Sequence, residues 1–238
     1  MNRLTLTALA VATASLASAQ SFIENFDSIV MTAAGGQVAS HNLTGWAFQN
    51  NSGALGTNTW FNGNPATFAS HQGAGYLAAN FNSGAGTTTI NNWAMAPVVT
   101  LNNGDTISFF TRTAGTNAFP DRLELRLSTN GASTNVGTGA NDVGDFNTLL
   151  LSINPNLATG IANYPNTWTQ YTATVSGLAG PTSGRFAFRY HVTNGGPSGA
   201  NSNYIGIDTL TYNAVPEPMT MTVLALGAVA ALRKRRQR

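Results

Sequence analysis

The 238-residue sequence predicts an all-β body built as one domain, a sandwich or a barrel. Three observations carry that prediction. No segment of the body sustains an apolar period of 3.6 residues. Short runs of alternating apolar and polar residues instead lie between clusters of Gly, Asn, Ser and Thr, which is how half-buried strands and their turns read in sequence. There is also no cysteine, so burial and hydrogen bonding, or a metal, must hold the fold where export would have permitted disulfides.

In chain order, the first element is an address. Residues 1–19 carry Arg3 as their only charge, an apolar run from Leu4 to Leu16, and Ala17-Ser18-Ala19 as a small-x-small cleavage site. This is the pattern of a secretory signal peptide cut between Ala19 and Gln20. The body then spans residues 20–214. Asn102-Asn103-Gly104-Asp105 is a turn leading into Thr106-Ile107-Ser108-Phe109-Phe110-Thr111. Leu123, Leu125 and Leu127 alternate with Glu124, Arg126 and Ser128, and Tyr171, Ala173 and Val175 with Thr172, Thr174 and Ser176. Phe186, Phe188, Tyr190 and Val192 alternate with Arg185, Ala187, Arg189 and His191. Each pattern places one face on a core and the other in solvent. In the last strand Ile205 and Ile207 share one face, whereas Leu210 and Tyr212 share the other with Asp208. Either both faces are covered or a bulge near Asp208 switches the register, and the bulge is the preferred reading. Stretches 35–64, 138–147 and 193–203, rich in Gly, Asn and Ser, are expected as surface loops.

The chain closes on residues 215–238. Pro216-Glu217-Pro218 precedes an uncharged run at 219–232, and Arg233-Lys234-Arg235-Arg236 and Arg238 follow. The apolar run can enter a bilayer as a short transmembrane helix, and the basic cluster should stay on the cytoplasmic side. A full span usually needs about 20 residues. The three parts in this order resemble the PEP-CTERM sorting signal of exported bacterial proteins. That resemblance implies an exosortase, a membrane-embedded cysteine protease that cuts near the Pro-Glu-Pro motif. A permanent tail anchor is the alternative.

Separating the addresses changes the electrostatics. The formal net charge of +2 and the pI of about 9.2 depend on Arg3 and the basic tail. The body keeps Arg112, Arg122, Arg126, Arg185 and Arg189 against Glu24, Asp27, Asp105, Asp121, Glu124, Asp142, Asp145 and Asp208. It is mildly acidic and has no lysine, which argues against a nucleic-acid partner.

The body itself resembles the choice-of-anchor J type of exported domain. The features that match are residues 22–27 (FIENFD), Gly45-Trp46, residues 75–82 (GYLAANFN), and Asn92-Trp93 ahead of Pro97. Residues 120–128 (PDRLELRLS), Trp168, residues 186–190 and residues 204–208 (YIGID) continue the match. The resemblance implies a jelly-roll β-sandwich similar to cleaved-adhesin and carbohydrate-binding modules, and it implies no reaction. It also implies a candidate structural Ca²⁺ clamped between the first and last strands. Glu24, Asp27, Asp208 and Asn80 are the oxygen donors in reach of such a cation, which takes six to eight. The competing role for these carboxylates is to face solvent or to accept turn amides.

Trp46, Phe48, Trp60 and Phe61 lie near Gly- and Asn-rich loops. Exposed aromatic faces suit pyranose rings, so Trp46 and Trp60 are the candidate glycan contacts, with core packing as the competing role. Trp93 and Trp168, beside strands, are assigned to the core. For catalysis there is little. The three histidines, His41, His71 and His191, belong to no Gly-x-Ser-x-Gly elbow and no His-Glu-x-x-His helix. His191 alternates with Arg189 on what reads as a solvated stripe. Asp121 and Glu124 have opposite strand parity, unlike a paired-carboxylate hydrolase site. Gly137-Thr138-Gly139 lacks the helix and lysine of a phosphate loop.

The sequence therefore predicts an exported, non-catalytic β-sandwich of the bacterial surface or extracellular matrix. It would pass through the Sec machinery, signal peptidase and an exosortase-type protease, with a transient stay in the inner membrane. Extracellular polysaccharide is the candidate partner. A carbohydrate-binding module with a defined ligand is the second reading, and a polysaccharide hydrolase the third.

Overall fold

The computed structural model describes residues 20–216. The expected signal peptide, Glu217, Pro218 and the apolar and basic parts of the tail lie outside the described residues. The strands are β1 (Phe22–Glu24), β2 (Met31–Ala34), β3 (Gln37–His41), β4 (Ala47–Asn50), β5 (Phe61–Asn62), β6 (Leu77–Asn80) and β7 (Thr88–Met95). They continue as β8 (Val99–Leu101), β9 (Thr106–Thr113), β10 (Leu123–Ser128), β11 (Thr148–Ile153), β12 (Thr169–Thr174), β13 (Thr182–Gly195) and β14 (Tyr204–Asn213). One turn of 3₁₀ helix, Phe81–Ser83, follows β6.

These strands form two antiparallel sheets and a separate β2–β3 hairpin. One sheet runs β12–β9–β14–β6–β5 with β1 also paired to β14, and the other runs β11–β10–β13–β7–β4 with β8 also paired to β13. The two longest strands, β13 and β14, are consecutive in the chain, and each is the centre of one sheet. Their inner faces supply Phe186, Phe188, Tyr190 and Val192 from β13 and Ile205, Ile207, Leu210 and Tyr212 from β14. Phe109 of β9 packs edge-on to Phe188, with ring centroids 4.8 Å apart, across the interior.

Four residues of β14 with opposite parity reach the same core because of a register shift. Asp208 pairs with Phe110, but Thr211 pairs with Ser108. Thr209 absorbs the extra residue at φ 49°. This is the bulge expected near Asp208.

The outer faces depart from expectation. Glu124, Ser128, Ala187, Arg189 and His191, expected in solvent, are all buried. The cause is the long connection from β10 to β11, whose Val136 and Phe146 lay a second apolar layer on Trp93, Met95 and Ala187. On the opposite sheet Phe68 and Tyr76 do the same over Ala78 and Tyr204, with Trp168 and Phe61 at the margin. A side chain on Gly206 would press on Trp168, Phe68 and Tyr76 at 2.8–2.9 Å, so glycine lets this cover sit close to β14. The stretch 35–64, expected as loop, instead contributes part of the β2–β3 hairpin and strands β4 and β5.

If the β10–β11 connection is part of the packed structure, Phe146→Ala should lower stability by about 3 kcal/mol. That corresponds to a fall in Tm of roughly 6–12 °C for a domain of this size. Leu149→Ala, half-exposed on the neighbouring strand, should stay within about 0.5 kcal/mol. Thermal melts of the two variants check this, and equal small effects would show that the connection is not a cover.

Candidate functional site

The sequence singled out Glu24, Asp27, Asp208 and Asn80 as calcium donors, and the structure gives them other work. Asp208 Oδ2 accepts from the amides of His71 (2.8 Å) and Gln72 (3.2 Å), and its Oδ1 from Thr209 N–H (2.6 Å). Asp27 Oδ1 accepts from Ala74 N–H (2.6 Å) and Gly75 N–H (3.3 Å). The two carboxylates thus hold opposite ends of one loop, residues 70–75. Gly73 (φ +65°) must be glycine there, because a Cβ would collide with Asp27. Glu24 Oε1 turns back to Phe26 N–H, and Asn80 Oδ1 caps the 3₁₀ turn at Asn82 N–H. Among the described residues no group of three or more His, Asp or Glu converges as a metal site. With its members bonded to separate backbone amides, this donor set does not fit a clamped Ca²⁺. Burial raises the pKa of Asp208 and the three amides act against it.

Trp46 and Trp60 do not present sugar platforms either. Both are buried, at 6% and 1% exposure. Trp46 packs on Phe26 and Phe48, and both tryptophans belong to the core between the sheets. Core packing, the other role the sequence left open, is the one they take, since the sandwich interior extends to those strand ends. Trp93 is core as expected, and Trp168 is half-buried with its indole N–H donating to Ala69 O. Gln20 and Pro216 are exposed at the two limits of the described residues.

Under the β10–β11 connection lies a charged cluster. Glu124 Oε2 accepts from Arg126 Nε (2.6 Å) and Arg189 Nη1 (3.1 Å). Arg189 also donates to Asn91 Oδ1 and Asp142 O, and its guanidinium lies 5.1 Å from the Trp93 ring centre. Arg122 donates to His191 O and Pro155 O, and its Nη2 lies 2.7 Å from His191 Nδ1. That contact requires a neutral imidazole with Nδ1 accepting. Burial would raise Glu124, but the guanidinium groups of Arg126 and Arg189 hold it well below the usual carboxylate range. Burial lowers Arg189 to about 10. Burial also lowers His191, and Arg189 and Arg122 add to the effect against the pull of Glu124. Through Arg189 on Asp142 O and Arg126 on Phe146 O, the cluster fastens the connection to the sheet.

Asp121 is fully buried and has no cation beside it. It accepts from Thr113 Oγ1 (2.6 Å), Tyr190 Oη (2.6 Å) and Asn203 N–H (2.7 Å). Burial raises its pKa against those three donors.

Several clefts open on the described surface, and sequence reading missed the one that has an exposed aromatic ring on its wall. A cleft of about 230 Å³ is lined by Phe81, Phe119, Gly196, Pro197, Gly199, Ser202 and Asn203. It sits beside the connection from β13 to β14. Phe119, at 54%, is the only exposed Phe, Tyr or Trp among the described residues. The signal was present as a lone aromatic in a Gly-Thr-Asn-Ala stretch before Pro120.

No protein-family model matches the chain, and no curated protein matches it. Solved structures similar to it include the K1 cleaved adhesin domain of Lys-gingipain from Porphyromonas gingivalis, 19% identical with a TM-score of 0.52. The K2 cleaved adhesin domain of Lys-gingipain is 18% identical, also at 0.52. Each match covers 82% of this chain and 99% of the adhesin domain. A xylan-binding domain from Paenibacillus barcinonensis is 13% identical at a TM-score of 0.44, over 82% of this chain and 94% of its own. At these identities the likeness establishes an all-β sandwich fold and no activity.

Two predictions follow from the carboxylates. EDTA should leave the melting curve unchanged, whereas Asp208→Ala should cost about 1–3 kcal/mol with or without chelator, because amides lose their acceptor. The second concerns pH. His191 has a lowered pKa in the fold, so below about pH 6.5 the unfolded chain binds its proton first. Its contribution is complete above that pH and is lost as the pH falls to the folded-state value. Glu124, also lowered, extends the loss below about pH 4.3. Asp121, raised, acts in the opposite sense and favours the fold at low pH. Tm should therefore decline between pH 7 and pH 5, and His191→Gln should flatten that part of the profile.

Proposed function

We propose that this chain is an exported, non-catalytic protein of the bacterial surface or extracellular matrix, a jelly-roll-type sandwich in contact with glycans. The observation that carries the non-catalytic reading is the fate of the eight carboxylates of the body. Glu24, Asp27, Asp208, Asp121 and Glu124 accept hydrogen bonds as described. Asp105 accepts from the Asn102 and Val215 amides and Tyr212 Oη, Asp142 from the Thr138 and Gly139 amides, and Asp145 from Asn130 and Ser133. Each is engaged in holding the fold, where a hydrolase needs a pair facing a common cleft.

The sorting reading rests on the two terminal segments. Sec export and signal peptidase would release the chain at Gln20. Residues 215–238 would hold it briefly in the inner membrane, C-terminus inward, until an exosortase-type protease cuts near Pro216-Glu217-Pro218. Support comes from the sandwich. Ala214 N–H donates to Ser21 Oγ and Val215 N–H to Asp105, so the body is closed just before the motif. A cut there removes no strand.

Intact mass of the protein recovered from the producing cell tests this. The expected mass begins at Gln20 and ends within residues 216–218. A mass that includes Arg238 would overturn the sorting proposal in favour of a permanent anchor.

A further inference from the structure

We infer that the Phe119 cleft is a binding site for a neutral glycan, with one sugar ring laid on the Phe119 face. This rests on the glycan-contact reading above and assigns it a place and a ligand class.

The ligand class follows first from charge. None of the five arginines of the body is exposed, and of its eight acids only Asp27 and Asp142 are. None of these residues lines the cleft. A charged ligand would be desolvated there without a partner, which is costly. The shape agrees. Phe119 and Phe81 give apolar surface to a space of about 230 Å³. Drug-sized sites run to about 300–1,000 Å³, so this one suits a single ring of a longer chain.

The polar groups complete the match, since a sugar ring needs an apolar face and hydroxyl partners at its rim. Asn203 is fixed by its N–H on Asp121 Oδ1 and by its Nδ2 on Ala114 O. Its Oδ1 accepts no hydrogen bond from the described residues and can take one from a sugar hydroxyl. Ser202, 5% exposed, accepts from Gly196 N–H. Its own hydroxyl proton has no acceptor among the described residues, although the side chain borders the cleft. Together they offer one acceptor and one donor.

The site is also held in shape. Ser202 N–H donates to Pro120 O, and Phe81 N–H donates to Asn203 O. Ser202 is held at φ 76°. Phe119 and Phe81 are thereby tied to the same two residues. A rigid aromatic anchor loses little entropy when it binds.

The test uses protein exported from the full chain, titrated calorimetrically with gluco-, xylo-, galacto- and manno-hexaoses, and with oligogalacturonate as the charged comparison. At least one neutral hexaose should bind. Phe119→Ala should weaken it roughly tenfold or more, as truncation of an aromatic anchor does. Phe119→Trp should keep it and Asn203→Ala should weaken it. Melting curves of the variants confirm the fold, which the exposed Phe119 does not support. Neutral binding that Phe119→Ala leaves intact would overturn the cleft and spare the glycan reading. Binding of oligogalacturonate alone would overturn the neutral class. No binding of any glycan would overturn both. A mass by light scattering that drops from dimer to monomer in Phe119→Ala would make the cleft a self-contact and overturn the inference.

Discussion

Asp121 is the group on which the arrangement of the two sheets most depends. Its carboxylate receives Thr113 from β9 in one sheet, Tyr190 from β13 in the other, and the amide of Asn203 at the start of β14. Its backbone carbonyl receives Asn154 Nδ2. A single buried acid therefore joins both layers at the end where the two central strands connect. Burial of a carboxylate is costly, and here three donors rather than a cation offset the cost. The same device recurs at Asp27, Asp105, Asp142 and Asp208, each of which accepts backbone amides of a turn or loop. In a body with no cysteine, carboxylate-to-amide bonds hold the turns that disulfides could not.

The sequence revealed the elements that obey a local rule. Alternation in Leu123–Leu127 and Phe186–Val192 identified strands and their inner faces correctly, and the change of parity between Ile207 and Leu210 located the bulge. What it hid depends on contacts far apart in the chain. Arg189 and His191 read as a solvated stripe because nothing in β13 records that Val136 and Phe146 will lie over them. Two apolar residues in a Gly- and Asn-rich stretch carry no periodicity, yet they suffice to cover a sheet face. Trp46 and Trp60 were left between two roles for the converse reason. They flank turns in sequence, but their rings point into the interior. Asp27 and Asp208, read as calcium donors, do come to a common loop, where each accepts backbone amides.

The cleft was the least legible feature, and its position explains why. It is assembled from the 3₁₀ turn after β6, the segment before β10 and the connection from β13 to β14. Each contributes residues that read as ordinary turn. The structural constraint is that β13 and β14 are consecutive yet central to different sheets, so their connection must pass from one layer to the other. Gly196 (φ +89°) and Ser202 (φ 76°) turn that connection, and Asp121 fixes its end at Asn203. A loop held this firmly also holds, through Ser202 N–H on Pro120 O, the neighbouring segment that carries the exposed Phe119.

Charge gives the last step. The chain's basic character is concentrated in its tail, whereas the sandwich buries or half-buries all five of its arginines and engages its acids internally. The surface left to a partner consists mostly of Asn, Ser, Thr, Gly and Gln, with one exposed aromatic ring. Long-range steering and ion pairing are largely absent from such a surface. Recognition must then come from stacking and from neutral hydrogen bonds, and both are short-ranged. Interactions of that kind are weak singly and become useful when a ligand repeats. A polymer of neutral sugars, the ligand inferred for the Phe119 cleft, repeats in this way. The scarcity of exposed charge is what makes the ligand inferred for the Phe119 cleft a neutral one.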